Sequence, residues 1–450
     1  MKFSKFDVVV WGAVIVAGLI IIGVLVIGDQ VGARAARTYP NDGGSVGGRE
    51  RIGLEFAQAM QTESVEQRFS IEPPVPGHFV WEGQALWFVP DDLFQRGVRY
   101  TARLAAGALA QSGQAMKRDL SWGFSVRPAW VVYTSPSTGA RQLWRISSEG
   151  GEAAQLTNGS GTVYEFTVSP DGSQIAYAAS NSQNGIDLWA MASDGSNGRL
   201  LVNCGPDLCF EPAWSPDGQR IAYSFIGSGL VPGSRNTARI WTLDLNTNQT
   251  APLYEDTQML GNRASWSPEG KRLAFYDSGA GGIRALNLET KQEVVVKTAI
   301  GEMGAWSPDG NAMLFNDLQL GETPFIGLYR ADLNTGDLTL LLGPESQWEA
   351  YAAPALSPDG QWVVLGLRTK DGAGKQLWLM HPDGSEARAI TDDKNYTNDS
   401  YRWDSWGQAI VFQRIKLDTP EAAPEIMVWP VNGGTPRLLA KDAVSPAWMP

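Results

Sequence analysis

The stretch "AWSPDGQRIAYS" at residues 213–224 recurs along the chain and decides how the rest is interpreted. Its copies are "VSPDGSQIAYA" from Val168, "WSPEGKRLAFY" from Trp266, "WSPDGNAMLFN" from Trp306, "LSPDGQWVVLG" from Leu356 and a divergent "WDSWGQAIVF" from Trp403. In the divergent copy Asp404 stands at the position of the motif serine, and successive copies of this position are 46, 52, 40, 50 and 47 residues apart. Periods of this length indicate a fold built from repeated supersecondary units.

A second repeated stretch extends the first. It reads "LWRISSEGGEAAQLT" from Leu143, and further copies begin at Leu188, Ile240, Ile283, Leu328, Leu377 and Ile426. Each unit reads as a strand ending near tryptophan, a Ser-Pro-Asp-Gly turn, a second strand, a loop, a third strand, a short turn and a fourth strand. Seven such units predict a seven-bladed β-propeller over residues 128–450.

The first unit lacks one strand in the sequence. No Ser-Pro-Asp-Gly stretch precedes "WVVYTS" at Trp130, whereas the chain ends in "VSPAWMP". The "PAW" of residues 446–448 matches that of residues 212–214. We therefore expect the C-terminal residues to supply the missing strand of the first blade, which removes free sheet edges.

The motif aspartates suit turn chemistry. Proline fixes φ early in a tight turn, aspartate accepts hydrogen bonds from nearby backbone amides, and glycine takes positive φ. The alternatives are a bound cation or a catalytic group, but the acidic stretch recurs in five closely matching copies, which argues against an active site. The sequence predicts that Asp171, Asp217, Asp309 and Asp359 are structural.

The motif "WSPDG-x-x-IAY" resembles the repeat of TolB-type propellers, which are related to the propellers of some peptidases. The resemblance covers residues 128–450 and implies the fold and a binding role. TolB-type proteins join six blades to an α/β domain and bind a lipoprotein in the periplasm. This chain has seven predicted blades and a different N-terminal region, so the resemblance does not identify its partner.

Composition excludes several functional classes. The formal net charge is −12 and no basic stripe is visible, so a nucleic-acid partner is not expected. Only two histidines occur, His78 and His381, and we expect no metal and no cofactor. Cys204 and Cys209 are the only cysteines and are either a disulfide or a pair of free loop residues, with the disulfide favoured for an exported chain.

The N-terminal region predicts a membrane anchor. Residues 8–27 carry no charge over 20 positions, which is long enough for a transmembrane helix, with residues 1–7 in the cytoplasm. A cleaved signal peptide is the alternative. The prediction is a single-pass protein of the cell membrane, with most of the chain extracytoplasmic. The polar, glycine-rich residues 28–48 read as a flexible tether.

Residues 49–127 predict a small β-sandwich. Their short runs include "W-x-G-x-x-L-x-F-x-P" from Trp81 to Pro90, then Tyr100, Thr101 and Leu104, and finally Trp122 and Phe124. The order of these elements resembles bacterial Ig-like domains of the S-layer type. That resemblance implies a spacer or adhesion module without an active site.

Binding is expected on one face of the propeller. Strand direction places the short turns on one face and every long loop on the other, where recognition usually occurs. Apolar loop residues there include Leu230, Val231, Leu320, Trp348 and Ile415. The candidate binding residues at this face and at the channel mouth are Tyr164, Glu165, Glu211, Arg263, Glu302, Trp348, Tyr351, Tyr401 and Arg402.

Three functions are compatible with these features. The first is a non-catalytic protein-interaction module of the cell envelope, binding another envelope protein. The second is a propeller that binds a glycan or small ligand, and the third is a hydrolase-associated propeller. The G-x-S-x-G stretch "GGSVG" at residues 43–47 lies in the predicted tether, so no nucleophile elbow is expected there, and the chain is predicted not to be an enzyme.

Overall fold

The computed structural model describes residues 16–18, 32–229, 234–343, 348–350, 352–369, 374–419 and 421–450. The chain divides into two compact units, residues 1–127 and residues 128–450. Both units are built mainly of β-strands, which agrees with the predicted all-β class.

From residue 32 onward, the first unit consists of short strands and a short helix. In chain order they are β1 (Ala35–Tyr39), β2 (Gly44–Val46), β3 (Ile52–Phe56), α1 (Thr62–Glu66), β4 (Phe69–Glu72), β5 (Gly77–Glu82), β6 (Ala85–Pro90), β7 (Arg99–Leu104) and β8 (Leu120–Val126). The sequence of β7 shows why such segments are strands: Tyr100, Ala102 and Leu104 are buried while the residues between them are exposed. This alternation is the period of a sheet with one buried face.

The strands of the first unit form two sheets around one core. Their orders are β1-β3-β6-β5 and β2-β8-β7-β4, and β2 is parallel to β8. Phe56 and Leu86 from the first sheet are buried in the same cluster as Trp122 and Phe124 from the second. The unit is therefore a two-sheet sandwich. Its assignment to the bacterial Ig-like family stays a prediction.

The predicted tether at residues 28–48 is wrong for its described part. Strand β1 pairs antiparallel with β3, from Ala35 opposite Phe56 to Tyr39 opposite Gly53. Between β1 and β2 the chain turns, and the Asp42 carboxylate accepts a hydrogen bond from the Gly123 amide at 2.7 Å. The glycines and Asp42 form the turn between β1 and β2. Their composition suggested a flexible tether, whereas the strands on either side belong to the sandwich.

The predicted membrane localisation also needs correction. In the part of the chain that the structure describes, no helix has both the length and the apolar character required to cross a bilayer. The predicted single-pass membrane localisation is therefore not supported. Of the predicted anchor at residues 8–27, only residues 16–18 are described, and the rest lies outside the described residues.

In the part that the structure describes, the second unit consists of strands joined by turns and loops. They are β9 (Trp130–Ser135), β10 (Gln142–Ser147), β11 (Ala154–Gln155), β12 (Val163–Val168), β13 (Gln174–Ser180), β14 (Ile186–Ala192), β15 (Arg199–Val202), β16 (Leu208–Trp214), β17 (Arg220–Ile226), β18 (Arg239–Asp244), β19 (Gln249–Pro252), β20 (Asn262–Trp266), β21 (Arg272–Asp277), β22 (Gly282–Asn287), β23 (Glu293–Lys297), β24 (Ala305–Trp306), β25 (Ala312–Gln319), β26 (Phe325–Asp332), β27 (Leu338–Leu342), β28 (Trp348–Ala350), β29 (Ala355–Leu356), β30 (Val363–Thr369), β31 (Gln376–Met380), β32 (Arg388–Ala389), β33 (Tyr396–Trp403), β34 (Ala409–Lys416), β35 (Glu425–Pro430), β36 (Arg437–Lys441) and β37 (Val444–Met449).

These strands form antiparallel meanders in chain order. The groups are β12–β15, β16–β19, β20–β23, β24–β27, β28–β32 and β33–β36, and β9–β11 form a further sheet with β37. A single parallel pair, Ile186 opposite Leu208, joins β14 to β16. The second strand of a group is covered on both faces: in β17, Ile221, Ala222 and Tyr223 are all buried. Such a continuous apolar run is typical of a strand packed between two layers.

The last strand completes the first sheet. Strand β37 pairs antiparallel with β9, with Val444 opposite Thr134 and Trp448 opposite Val131. The Ser135 hydroxyl donates to the backbone oxygen of Asp442 at 2.8 Å. The expected pairing of the C-terminal residues with "WVVYTS" is confirmed.

The Ser-Pro-Asp-Gly stretch forms the same hydrogen-bonded turn in its intact copies. In the copy at residues 215–220, the Ser215 hydroxyl donates to the Asp217 carboxylate and accepts from the Arg220 amide at 2.9 Å. The Asp217 carboxylate also accepts from the Gln219 amide at 3.0 Å. In the divergent copy the Asp404 carboxylate accepts directly from the Gln408 and Ala409 amides, at 2.7 and 3.1 Å. The motif is therefore a structural turn in these copies.

Removing residues 443–450 should destabilise the second unit. The deletion exposes the edge of β9 and removes the buried side chains of Trp448 and Met449 from two cores. We expect a lower melting temperature and aggregation of the full-length chain, measured by circular dichroism and light scattering. A peptide of residues 443–450 added during refolding should partly restore the transition. An unchanged melting curve for the deletion would contradict this role of β37.

Within the turn, the serine should matter more than the charge of the aspartate. Ser215→Ala leaves the Arg220 amide without its acceptor and should cost about 1–3 kcal/mol. Asp217→Asn keeps an acceptor oxygen in place and should cost less than about 1 kcal/mol. Denaturant unfolding of both variants measures the difference, and equal losses would show that the charge itself stabilises the turn.

Candidate binding surface at the inner strands

The strand before each motif contacts its counterparts in the two neighbouring sheets. We call these the inner strands: β12, β16, β20, β24, β29, β33 and β37. Contacts connect β33 to β37, β37 to β12, β12 to β16, β16 to β20, β24 to β29, and β29 to β33. The Trp306 indole of β24 donates to the Ser265 hydroxyl of β20 at 3.0 Å. The inner strands thus follow one another around a common centre.

Tryptophan side chains connect these strands through hydrogen bonds from their indole N–H groups. The Trp266 indole donates to the Ala213 carbonyl at 3.0 Å, and the Trp448 indole donates to the Arg402 carbonyl at 2.9 Å. The Trp403 indole makes the same bond to the Ala355 carbonyl at 2.9 Å. The recurring tryptophans therefore bridge neighbouring sheets.

Most inner strands carry a bulge at the same repeat position. The pairing register shifts there in β12, β16, β20, β33 and β37. Four residues before the motif serine or its equivalent, Glu211, Arg263, Ser400 and Ser445 have φ values of 52, 57, 51 and 57°. Residues other than glycine rarely adopt such values. Their recurrence shows that the bend belongs to the repeat, since each inner strand must curve beside its neighbours.

Two candidate residues join neighbouring sheets at this bend. The Arg263 backbone amide donates to the Glu211 carboxylate at 2.9 Å, and the Ser224 hydroxyl donates to the same carboxylate at 2.7 Å. The Arg263 guanidinium lies 3.8 Å from that carboxylate. In another sheet the Gln413 side chain accepts from the Ser445 amide at 3.1 Å. Polar side chains thus satisfy amides that the bulge removes from the ladder.

Glu165 occupies a less favourable environment. Its side chain is exposed to the cavity that the inner strands surround, where part of its water is displaced. Burial raises the pKa of Glu165, and the nearby Glu211 carboxylate raises it further. A hydrogen bond from the Glu211 backbone amide and the charge of Arg141 oppose this shift. Glu165 and Glu211 therefore form an acidic pair at the centre of the unit.

Tyr401 lies elsewhere than the sequence predicted. Its ring is 2% exposed, and its hydroxyl donates to the Ala353 carbonyl at 2.8 Å and accepts from the Gly366 amide at 2.9 Å. Burial is the main cause that raises the pKa of Tyr401. This residue connects two sheets and is not part of the candidate surface, because the bulge turns it inward.

Arg402 lines a cavity of about 500 Å³ between three inner strands. The wall also includes Tyr164, Glu165, Phe166, Thr167, Val168, Ser400, Trp403, Ser405, Ser445, Pro446, Ala447 and Trp448. One guanidinium nitrogen of Arg402 donates to the Tyr401 carbonyl at 2.9 Å. Arg402 is exposed at the cavity wall, and partial loss of water around its guanidinium lowers its pKa.

The remaining candidate binding residues are Tyr164, Glu302, Trp348 and Tyr351. Tyr164 is 37% exposed at the cavity wall, and Glu302 is half-buried in the link between β23 and β24. For Trp348 the backbone lies in β28, and Tyr351 lies outside the described residues. The structure thus gathers Glu165, Glu211 and Arg263 in one cluster.

Ser224, Gln413, Ser400 and Ser445 were missed by the sequence analysis. Alignment of each repeat on its motif serine would have revealed the last two, because they share one position with Glu211 and Arg263.

Cys204 and Cys209 are joined in a disulfide, with 6.2 Å between their Cα atoms. The Cys204 amide donates to the Asp187 carboxylate at 2.8 Å, and the Asp207 carboxylate accepts from the Ser228 amide at 2.8 Å. The disulfide loop is thereby tied to the long loop that follows β17. Among the described residues, no group of three or more His, Cys, Asp or Glu side chains could hold a metal ion.

Replacing Glu165 should change how stability depends on pH. Because its pKa is raised in the fold, ionised Glu165 destabilises the folded state, and this effect grows as pH rises from about 4.5 through the folded pKa. Glu165→Gln should therefore raise the melting temperature at pH 7 relative to wild type, with little difference at pH 4.

Asp309→Asn is the matched control. The Ser307 hydroxyl and the Asn311 amide lower the pKa of Asp309, so its ionised form stabilises the fold and this contribution is lost as pH falls. The control should reduce the melting temperature at pH 7 and converge with wild type at low pH. Parallel pH profiles for the two variants would show that the environment of Glu165 is misassigned.

Comparisons with known proteins agree with this architecture. No family model matches the chain. The curated Tol-Pal system protein TolB of Anaeromyxobacter dehalogenans (strain 2CP-C) is 36% identical over 96 residues, which are 19% of this chain and 21% of that protein. The chain thus spans about a fifth of the length of this curated relative.

Solved structures add a likeness of fold. One of two prolyl endopeptidases has 14% sequence identity and a TM-score of 0.52, covering 84% of this chain and 50% of that chain. TolB from Acinetobacter baumannii has 17% identity and a TM-score of 0.43, covering 85% and 83%. The endopeptidase likeness concerns the fold alone. The repeated motif, its turns, the curated TolB relative and the fold shared with the endopeptidase identify the chain as a TolB-like β-propeller protein.

Proposed function

We propose that this TolB-like propeller is a non-catalytic protein-interaction module of the cell envelope. The carrying observation is the contrast between the two ends of its strands. At one end, the Ser-Pro-Asp-Gly turns are short and internally hydrogen-bonded. At the other end, irregular loops present apolar side chains, with Leu320 68% exposed and Leu417 39% exposed. Irregular loops on a rigid scaffold are suited to recognition.

The compartment is inferred from two supports. Disulfides persist in oxidising compartments such as the bacterial periplasm. The Cys204–Cys209 disulfide therefore supports an extracytoplasmic location. The curated relative is named as part of the Tol-Pal system, which fits an envelope protein as partner. The partner proposed here is another protein of the envelope.

We further infer seven blades and an Ig-like N-terminal module. The blade number is supported by the succession of inner strands around one centre and by the pairing of β37 with β9. The Ig-like proposal is supported by the two-sheet sandwich and its buried Trp122. In this arrangement the sandwich acts as a spacer and the propeller carries the binding face.

Absence of catalysis is part of the proposal. A hydrolase nucleophile requires a strand-to-helix elbow, whereas Ser45 of the G-x-S-x-G stretch lies within strand β2. Some solved propeller neighbours are named as peptidases or lyases, and that likeness concerns fold.

Leu320→Asp should weaken binding to the envelope partner by about tenfold, because a charge placed at an apolar contact must be desolvated. The measurement is capture of proteins from an envelope extract by immobilised full-length chain, followed by titration of the captured protein. Leu338→Asp is the matched control, since Leu338 is 49% exposed on the outer strand β27, next to a short turn.

The two leucine variants separate the faces. We expect Leu338→Asp to bind as wild type does, with the same melting temperature. If Leu338→Asp loses binding while Leu320→Asp retains it, the working face is the opposite one.

A further inference from the structure

Arg402 is exceptional within the repeat. Two residues before the motif serine or its equivalent, the other inner strands carry Thr167, Ala213, Ser265, Ala305, Ala355 and Ala447. All of these are small, so a packed ring leaves little room at this position. Because the other sheets carry small residues at this position, the fold does not require an arginine there. Arg402 is therefore a candidate for recognition.

The charge of Arg402 is not balanced within its surroundings. Its guanidinium donates to the Tyr401 carbonyl, and among the described residues no carboxylate lies within 4.0 Å of it. Loss of water around this group lowers its pKa. The Arg402 side chain is exposed at the cavity wall, so its guanidinium is accessible to an anion that enters the cavity.

The rest of the wall combines aromatic ring surface with serine and threonine hydroxyl groups. The indole N–H groups of Trp403 and Trp448 are already bonded to backbone carbonyls, so these side chains present ring surface only. Phe166 and Pro446 add to this surface. A volume of about 500 Å³ is within the range of small-molecule sites.

We propose that this cavity binds an organic monocarboxylate, with the carboxylate on Arg402 and an apolar body against Trp403, Trp448 and Phe166. Planar guanidinium groups bind carboxylates through two parallel hydrogen bonds, which gives both affinity and orientation. The site is distinct from the loop face proposed for protein binding. The carboxylate can belong to a free acid or to the end of a polypeptide chain.

Glu165 limits the charge that the ligand can carry. It lines the same cavity, and Glu211 lies beside it. These acids repel a phosphate or sulfate dianion more strongly than a carboxylate of single charge. A single carboxylate on an apolar body therefore fits the two walls better than an inorganic polyanion does.

Calorimetric titration of the full-length chain with phenylacetate tests the site. We expect a dissociation constant of about 1 mM or lower. Phenylacetamide has the same shape without the charge and should bind at least about tenfold more weakly, and phosphate should not compete. No binding of phenylacetate, or equal binding of the amide, overturns the proposal.

Substitutions of Arg402 and Glu165 should change the affinity for phenylacetate in opposite directions. Arg402→Gln should weaken phenylacetate at least about tenfold, and Arg402→Lys should weaken it less because the charge remains. Glu165→Gln should strengthen binding, since it removes a like charge from the cavity. Wild-type affinity in Arg402→Gln overturns the proposal. The amide comparison needs no variant and stands even if Arg402→Gln fails to fold.

A short peptide ending in phenylalanine distinguishes the two sources of carboxylate. Tighter binding with a free carboxyl terminus than with an amidated one supports a chain end as ligand. Binding of phenylacetate without binding of either peptide supports a free acid. Binding of the amidated peptide equal to the free one overturns the carboxylate site.

The protein-binding proposal is tested separately by Leu320→Asp. Leu320 does not line the cavity, so this variant should titrate phenylacetate as wild type does. Loss of partner capture with retained phenylacetate binding separates the two sites.

Discussion

The pairing of β37 with β9 is the interaction on which the second unit depends. It joins residues more than three hundred positions apart in the sequence, through Val444 opposite Thr134 and Trp448 opposite Val131. Without it, β9 would be an unpaired edge, and the inner strands β33 and β12 would lose the strand that lies between them. Pairing the last strand with the first sheet covers an edge that would otherwise be exposed. Each remaining sheet then packs against two neighbours.

Packing of the inner strands explains why several polar residues resemble a site without forming one. Strands that meet at a centre have to bend, and the bulges release backbone amides that need acceptors. The Glu211 carboxylate and the Gln413 amide group supply them across sheets. The hydroxyl of Tyr401 performs a similar task between Ala353 and Gly366. The hydrogen-bonding capacity of these groups is used within the fold, so recognition depends on polar groups without such structural partners.

The sequence was most informative where residue types recur at fixed spacing. Ser215 and Asp217 define a turn through local hydrogen bonds, so their recurrence predicted the sheets and the closing strand. Local chemistry could not predict which way Tyr401 points, because a bulge shifts the alternation by one residue and reverses the face of each side chain. It also failed at β1 and β2, where glycines serve a turn whose partner strands are distant in sequence.

A repeated ring gives each sheet nearly the same inner surface, so specific recognition requires a departure from the repeat. The β33–β36 sheet departs at two positions: Asp404 replaces the motif serine, and Arg402 replaces a small residue. The two changes lie on one short segment, and Asp404 holds its turn through two backbone amides. A carboxylate at this position keeps the turn closed without the serine. The fold thereby tolerates divergence in this sheet, and Arg402 places a cation among the inner strands where the motif has diverged.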